Sequence, residues 1–90
     1  MSYFITCIDK KNSLEKRMRT RDEHINYLKK FEKSIITAGP LLDKAGAPYG
    51  SLLILNFENI AEVNSFLNND PYAKKKLFQK IIVKEFKKVF

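Results

Sequence analysis

The stretch G-S-L-L-I-L-N-F at residues 50–57, with N-I-A-E-V-N-S-F-L at 59–67 behind it, decides the fold of this 90-residue chain. The first stretch is a nearly continuous apolar run of strand length, which indicates a β-strand buried on both faces. Asn59 opens the second with a helix-capping pattern, and its apolar residues recur at helical spacing. The pair therefore predicts a strand followed directly by an amphipathic helix, as in mixed α and β folds.

Three more strands are indicated by short runs of β-branched and aromatic residues bounded by polar residues, glycine or proline. They are Y-F-I-T-C-I at 3–8, S-I-I-T-A-G-P at 34–40 and the segment 77–85. Gly39 and Pro40 are expected to stop the second of these strands, and residues 41–49 to form a loop.

A second helix is predicted between the first two of these strands. The sequence T-R-D-E at 20–23 has the form of a capping box with Thr20 as N-cap. Apolar residues at three- and four-residue spacing continue from there to about Lys33. The charged residues 10–19 are expected to form a surface loop, with room for a turn of helix around Leu14.

The resulting order, β-α-β-β-α-β, predicts a single α+β domain over residues 1–90 with the ferredoxin-like arrangement. A four-stranded antiparallel sheet then carries both helices on one face. The strands also have large apolar residues at the alternate positions, which would face away from the helices. Because an exposed apolar face usually marks an interface, we expect a homodimer through the sheet face.

The chain carries a net charge of +7, concentrated in two segments. Residues 10–33 contain nine basic and four acidic residues, and residues 74–90 contain seven lysines and one glutamate. Such an imbalance could attract nucleic acid, an anionic membrane or an anionic small molecule. The simpler interpretation is lysine that maintains solubility.

Composition argues against several classes of protein. No run approaches the roughly 20 apolar residues that span a bilayer, and the run at 3–8 is too short for a signal peptide. Cys7 is the only cysteine and His24 the only histidine, which leaves no disulfide and too few ligands for the usual zinc site. We therefore expect a cytoplasmic protein with no membrane partner, metal or other cofactor, in which Cys7 is a buried packing residue.

His24 and Asp70 form the candidate catalytic pair. In the ferredoxin-like topology the start of the first helix and the end of the second lie at one rim, so we expect both residues there. With Thr20 as N-cap, His24 falls in the first helical turn, where the helix dipole disfavours the imidazolium and Asp70 favours it. His24 also shares a helical face with Leu28 and Phe31, which turns it inwards.

An imidazole exchanges its proton near neutral pH, and a carboxylate bonded to one ring nitrogen would leave the other free as a base. A structural interpretation also fits the spacing alone, since His24 could bond a loop while Asp70 ends a helix.

The chain resembles the YciI-like proteins, also called YCII-related domains, in five short motifs that occur in the family's order. They are S-L-E-K-R at 13–17, R-x-x-H at 21–24, T-A-G-P at 37–40, D-P-Y at 70–72 and F-K-K-V-F at 86–90. The resemblance implies a dimeric ferredoxin-like α/β barrel with an active site around the family's histidine and aspartate, here His24 and Asp70. Some relatives act in the breakdown of aromatic compounds, including dehydrochlorination. The loop at 41–49 looks short for the family, which alters one wall of the expected pocket.

Four residues near the same rim are candidate substrate contacts. Arg21, placed at a helix start, could orient a carboxylate or phosphate. Gly39 and Pro40 would permit close approach of the backbone to a ligand, and Tyr72 could supply a hydroxyl. Ordinary surface, turn and packing roles remain the alternatives for all four.

We therefore expect a small dimeric enzyme in which His24 is a general base and Asp70 orients it. The reaction would be proton abstraction, elimination or a hydrolysis on a small anionic or aromatic molecule. A non-catalytic ligand-binding, dimerisation or regulatory domain fits the same features. RNA-recognition domains share the element order, but these strands lack their basic and aromatic sheet motif, so nucleic acid is not the expected partner.

Overall fold

A computed structural model describes the helices and strands of residues 1–90. They are β1 (Ser2–Asp9), α1 (Leu14–Lys29), β2 (Ile35–Leu42), β3 (Pro48–Asn56), α2 (Ile60–Asn69), α3 (Pro71–Lys74) and β4 (Phe78–Phe86). The strands form one sheet in the order β2-β3-β1-β4, and all neighbours are antiparallel. This is the predicted ferredoxin-like fold, with the short helix α3 added. None of the helices is long and apolar enough to cross a bilayer.

The core lies between the helices and one face of the sheet. It consists of alternate residues of the two central strands and one side of α2, namely Tyr3, Ile5, Cys7, Leu53, Leu55, Val63, Phe66 and Leu67. Strand residues alternate between the two faces, which explains this spacing. On the other face, Leu52 and Ile54 are only half-buried. Within one chain, β3 is therefore fully buried on one face rather than on both.

Helix α1 begins at Leu14, so the prediction of a surface loop over residues 10–19 is wrong. The buried residues of this helix are polar, Arg17, Thr20 and His24, whereas Leu14 and Met18 are exposed. Apolar periodicity marks a helix only when its buried face is apolar, and the first half of α1 reverses that pattern.

Thr20 is not an N-cap, because it lies inside α1 and its hydroxyl donates to the Lys16 carbonyl at 2.8 Å. Arg21 and His24 consequently lie well past the first turn, where the positive end of the helix does not act on them. The helix also ends at Lys29 rather than Lys33, and a 3₁₀ turn over Glu32–Ser34 follows.

Gly39 and Pro40 do not stop β2, which continues to Leu42. Pro40 is paired with Ser51 of β3, and β2 is an edge strand, where a residue without an N–H is tolerated. The connection to β3 shrinks to residues 43–47, because β3 begins at Pro48 rather than at residue 50.

The predicted helix start at Asn59 is confirmed, since its side chain accepts a hydrogen bond from the Glu62 N–H at 3.0 Å. The predicted break after residue 69 is also present. Asp70 has extended backbone there, and its side chain caps α3 by accepting from the Tyr72 N–H at 2.9 Å. The last strand is shifted by one residue from the predicted 77–85.

Candidate functional site

A pocket of about 420 Å³ lies between α1, the strands β2 and β3, and α3. Its volume is in the range of small-molecule sites. Half of its lining residues are hydrophobic, including Met18, Ile25 and Leu28 of α1, and none is Asp or Glu. The pocket therefore offers an apolar wall for a ring beside a few polar side chains.

His24 and Asp70 meet behind this pocket, where His24 Nδ1 lies 2.9 Å from Asp70 Oδ1. Only 9% of His24 and 1% of Asp70 is exposed. The same Asp70 oxygen accepts from the Tyr72 N–H, so we assign this oxygen as the acceptor and Nδ1 as the donor. This arrangement fixes the ring orientation and places the proton of a neutral imidazole on Nδ1.

The second ring nitrogen of His24 is open to the pocket. His24 lines the pocket, and its only side-chain hydrogen bond is made by Nδ1. No buried side-chain nitrogen or oxygen in the chain lacks a partner, so Nε2, which has none, is accessible. A neutral imidazole held in this way can take a proton from a molecule in the pocket.

Tyr72 supports His24 through its ring and its backbone. The two rings stack with their centroids 4.0 Å apart at an interplanar angle of 20°. Burial raises the pKa of Tyr72, against the opposing effect of the Arg17 and Arg21 charges. The phenol is therefore protonated at neutral pH, and its hydroxyl is available to a ligand as a donor.

Arg17, Asp9 and Ser51 form a buried polar cluster in the same pocket. Arg17 Nε donates to Asp9 Oδ2 at 2.6 Å, and Nη2 donates to Asp9 Oδ1 at 3.1 Å and to Ser51 Oγ at 2.8 Å. The guanidinium carbon also lies 4.6 Å from the centroid of the Tyr72 ring. Arg17 and Ser51 both line the pocket, and together they present a fixed positive charge and a hydroxyl proton.

Sequence reasoning missed this cluster, although a signal for it was available. Arg17 precedes Arg21 by four residues and His24 by seven, so one helical face carries all three once the helix begins at Leu14. Ser51 was a polar residue inside an apolar strand. Polar residues in such buried positions commonly belong to a site.

The other predicted contact residues, Arg21, Gly39 and Pro40, also line the pocket. A side chain at Gly39 would meet no protein atom within 4 Å. A requirement for glycine at this position would therefore have to come from a ligand.

Cys7 lies in the core with none of its surface exposed. Burial, and then the Asp70 charge, raise the pKa of its thiol to about 12. A thiol that stays protonated in a closed environment is a poor nucleophile. No three His, Cys, Asp or Glu side chains come together as possible metal ligands.

The Cys7 thiol is expected to make stability fall in alkaline solution. Its pKa is about 12 in the fold against 9.0 for a free thiol, so its contribution is complete below about pH 9 and is lost as the pH rises towards 12. Between about pH 8 and pH 10.5, the stability advantage of the wild type over Cys7→Ala should shrink by about 2 kcal/mol. Denaturant titrations of both proteins measure this difference, and the tyrosines, common to both, cancel. An unchanged difference would contradict the burial of the thiol.

The fold and this pocket define a class: small ferredoxin-like α+β proteins with a histidine–aspartate pair beside a ligand-sized cavity. Residues 1–87 match the YCII-related domain family, and the chain belongs to that family. An uncharacterized protein of Haemophilus influenzae is 38% identical over 99 residues, and Protein YciI of Escherichia coli is 36% identical over 98 residues. Both alignments cover the whole of each chain.

Among solved structures, the chain is similar to 5-chloro-2-hydroxyhydroquinone dehydrochlorinase (TftG) of Burkholderia phenoliruptrix in complex with 2,5-dihydroxybenzoquinone. The TM-score is 0.91 at 34% identity, covering 97% of this chain and 94% of the other. An antibiotic biosynthesis monooxygenase matches with a TM-score of 0.54 at 7% identity, covering 97% and 98% of the two chains. The second likeness shows the fold alone.

Proposed function

We propose that this protein is an enzyme that removes a proton from a small aromatic or anionic molecule, with His24 as general base and Asp70 as the group that orients it. The observation that carries the proposal is the 2.9 Å hydrogen bond from His24 Nδ1 to Asp70, which leaves Nε2 as an accessible base. The likeness to a dehydrochlorinase with a bound quinone supports an elimination as the reaction class.

In such an elimination His24 Nε2 takes a hydroxyl proton from the substrate and returns it to the ring carbon that bears the leaving group. A second hydroxyl proton then passes to Nε2 as this carbon expels the leaving group, such as chloride, with its bonding electrons. The imidazolium that forms is stabilised by the Asp70 carboxylate and later gives its proton to water. Negative charge develops on a substrate oxygen as the proton leaves. The Arg17 guanidinium and the Ser51 hydroxyl are placed to stabilise that oxygen, while Gly39 and Pro40 form the facing wall.

The test is chloride release from 5-chloro-2-hydroxyhydroquinone, the compound named for the Burkholderia relative, by the wild type and by His24→Asn. Binding of 2,5-dihydroxybenzoquinone tests the pocket independently of turnover. It can be monitored by NMR through the imidazole resonances of His24, the only histidine. Failure of both measurements on the wild type would contradict the proposal.

We also propose that the protein is a homodimer that pairs through the sheet face opposite the helices. This face carries half-buried apolar residues of the central strands, Phe4, Ile8, Leu52 and Ile54, and both helices pack on the other side of the sheet. A second copy of the chain would cover this face, and twofold dimers are the commonest assemblies.

The dimer is expected to have twice the 10.5 kDa mass of the chain in light scattering. Ile54→Glu should produce a monomer, because it places a charge at the centre of the proposed interface. Ile60→Glu is the matched control, since Ile60 is an exposed residue of α2 and its replacement should leave the dimer intact. A wild type that is monomeric, or an Ile54→Glu variant that stays dimeric, would count against this interface.

A further inference from the structure

The basic side chains that line the pocket differ in whether their charge is balanced. Arg17 is paired with Asp9 at 2.6 Å and His24 with Asp70 at 2.9 Å. Arg21 lines the same pocket but forms no ion pair and no side-chain hydrogen bond. Because no carboxylate lines the pocket, Arg21 gives it one uncompensated positive charge.

The position of Arg21 directs this charge at the site rather than away from it. Arg21 lies one helical turn from both Arg17 and His24 on the same face of α1. Its charge reaches Tyr72, whose pKa it lowers against the effect of burial. The neighbouring Glu23 lines a separate groove with Lys30 and Lys74, so it does not balance Arg21 within the pocket.

The two arginines four residues apart on one helix repel each other, which weakens the helix slightly. The Asp9 carboxylate balances Arg17 and offsets part of this repulsion, but Arg21 itself is exposed and forms no ion pair that would offset the rest. A residue that costs stability and contacts a pocket is typical of a functional position.

We infer that Arg21 makes the pocket prefer aromatic substrates that carry a carboxylate on the ring, which it binds at the mouth of the pocket while the ring lies against the apolar wall beside His24. A guanidinium matches a carboxylate with two parallel hydrogen bonds. A single free cation suits a group with one negative charge. This inference rests on the proposed function, because it assigns the substrate class of the same pocket.

The experiment compares binding of gentisate with that of its neutral amide, gentisamide, which has the same ring and hydroxyls. The wild type should bind gentisate about tenfold more tightly. Arg21→Met should lose this preference and bind gentisamide as before, whereas Arg21→Lys should retain part of it. The melting temperature of Arg21→Met should equal or exceed that of the wild type, which a structural role for Arg21 would not allow.

The imidazole resonances of His24 separate the two ways in which this can fail. If both compounds bind and shift these resonances equally in the wild type, or if Arg21→Met still prefers gentisate, the proposed role of Arg21 is wrong. The pocket would then still be a ligand-binding site. If neither compound, nor 2,5-dihydroxybenzoquinone, shifts them, the proposed function fails together with the inference.

Discussion

Replacing His24 with asparagine is expected to lower turnover by about 10²- to 10⁴-fold, the usual contribution of a general base. The asparagine amide can still donate to Asp70 Oδ1, as His24 Nδ1 does at 2.9 Å. What the variant loses is Nε2, the atom that we propose takes the proton. The substitution therefore removes the proposed base while it preserves the buried hydrogen bond. Chloride release under substrate saturation is the measurement.

Asp70→Asn isolates the charge of the carboxylate. Asparagine caps helices as well as aspartate does, and one oxygen at this position can accept from both Tyr72 N–H and His24 Nδ1. The geometry is then retained, but the imidazolium loses its stabilising charge. Turnover should fall to a level between the wild type and His24→Asn. The double variant should be no slower than His24→Asn alone, because residues that act as a unit are not additive.

Glu23→Gln is the matched control on the same helix. Glu23 is exposed and faces a different groove, so its loss of charge should leave turnover unchanged. If His24→Asn worked within twofold of the wild type while Glu23→Gln behaved normally, His24 would not be the base.

The element order was predictable because apolar periodicity is strong in the strands and in α2. Asn59 marked the start of α2 correctly, since a side-chain cap is a local interaction. The boundaries at Pro40 and Thr20 could not be read in the same way. The edge position of β2 tolerates Pro40 within the strand, and Thr20 lies inside α1. The position of each residue in the tertiary structure therefore set these element boundaries.

The nearness of His24 and Asp70 followed from the topology, even though the predicted start of α1 was wrong. α1 has 16 residues and α2 has 10, so the end of the shorter helix lies beside the middle of the longer one. Asp9, Arg17 and Ser51 were not predicted, because burial of charged and polar groups contradicts the pattern from which cores are recognised.

The buried pair of Asp9 and Arg17 should dominate the effect of substitutions on stability. Their side chains are only 5% and 4% exposed. Asp9→Ala leaves the guanidinium buried without its carboxylate, which should lower the free energy of unfolding by about 3–5 kcal/mol. Because the free energy of unfolding of a small domain is about 5–15 kcal/mol, this loss would leave the fold only marginally stable. Urea titrations followed by circular dichroism measure it.

The pair formed by Glu15 and Arg19 provides the comparison on the same helix, with side chains 86% and 64% exposed. Glu15→Ala should cost at most about 0.5 kcal/mol.

A double variant, Asp9→Leu with Arg17→Met, should recover most of the stability lost in Asp9→Ala, because well-packed apolar residues can replace a buried ion pair. It should nevertheless fail to bind 2,5-dihydroxybenzoquinone, since the pocket has lost its guanidinium. Stability restored without binding would show that the pair is kept for the site, whereas a loss below about 1 kcal/mol in Asp9→Ala would show that Arg17 does not depend on Asp9.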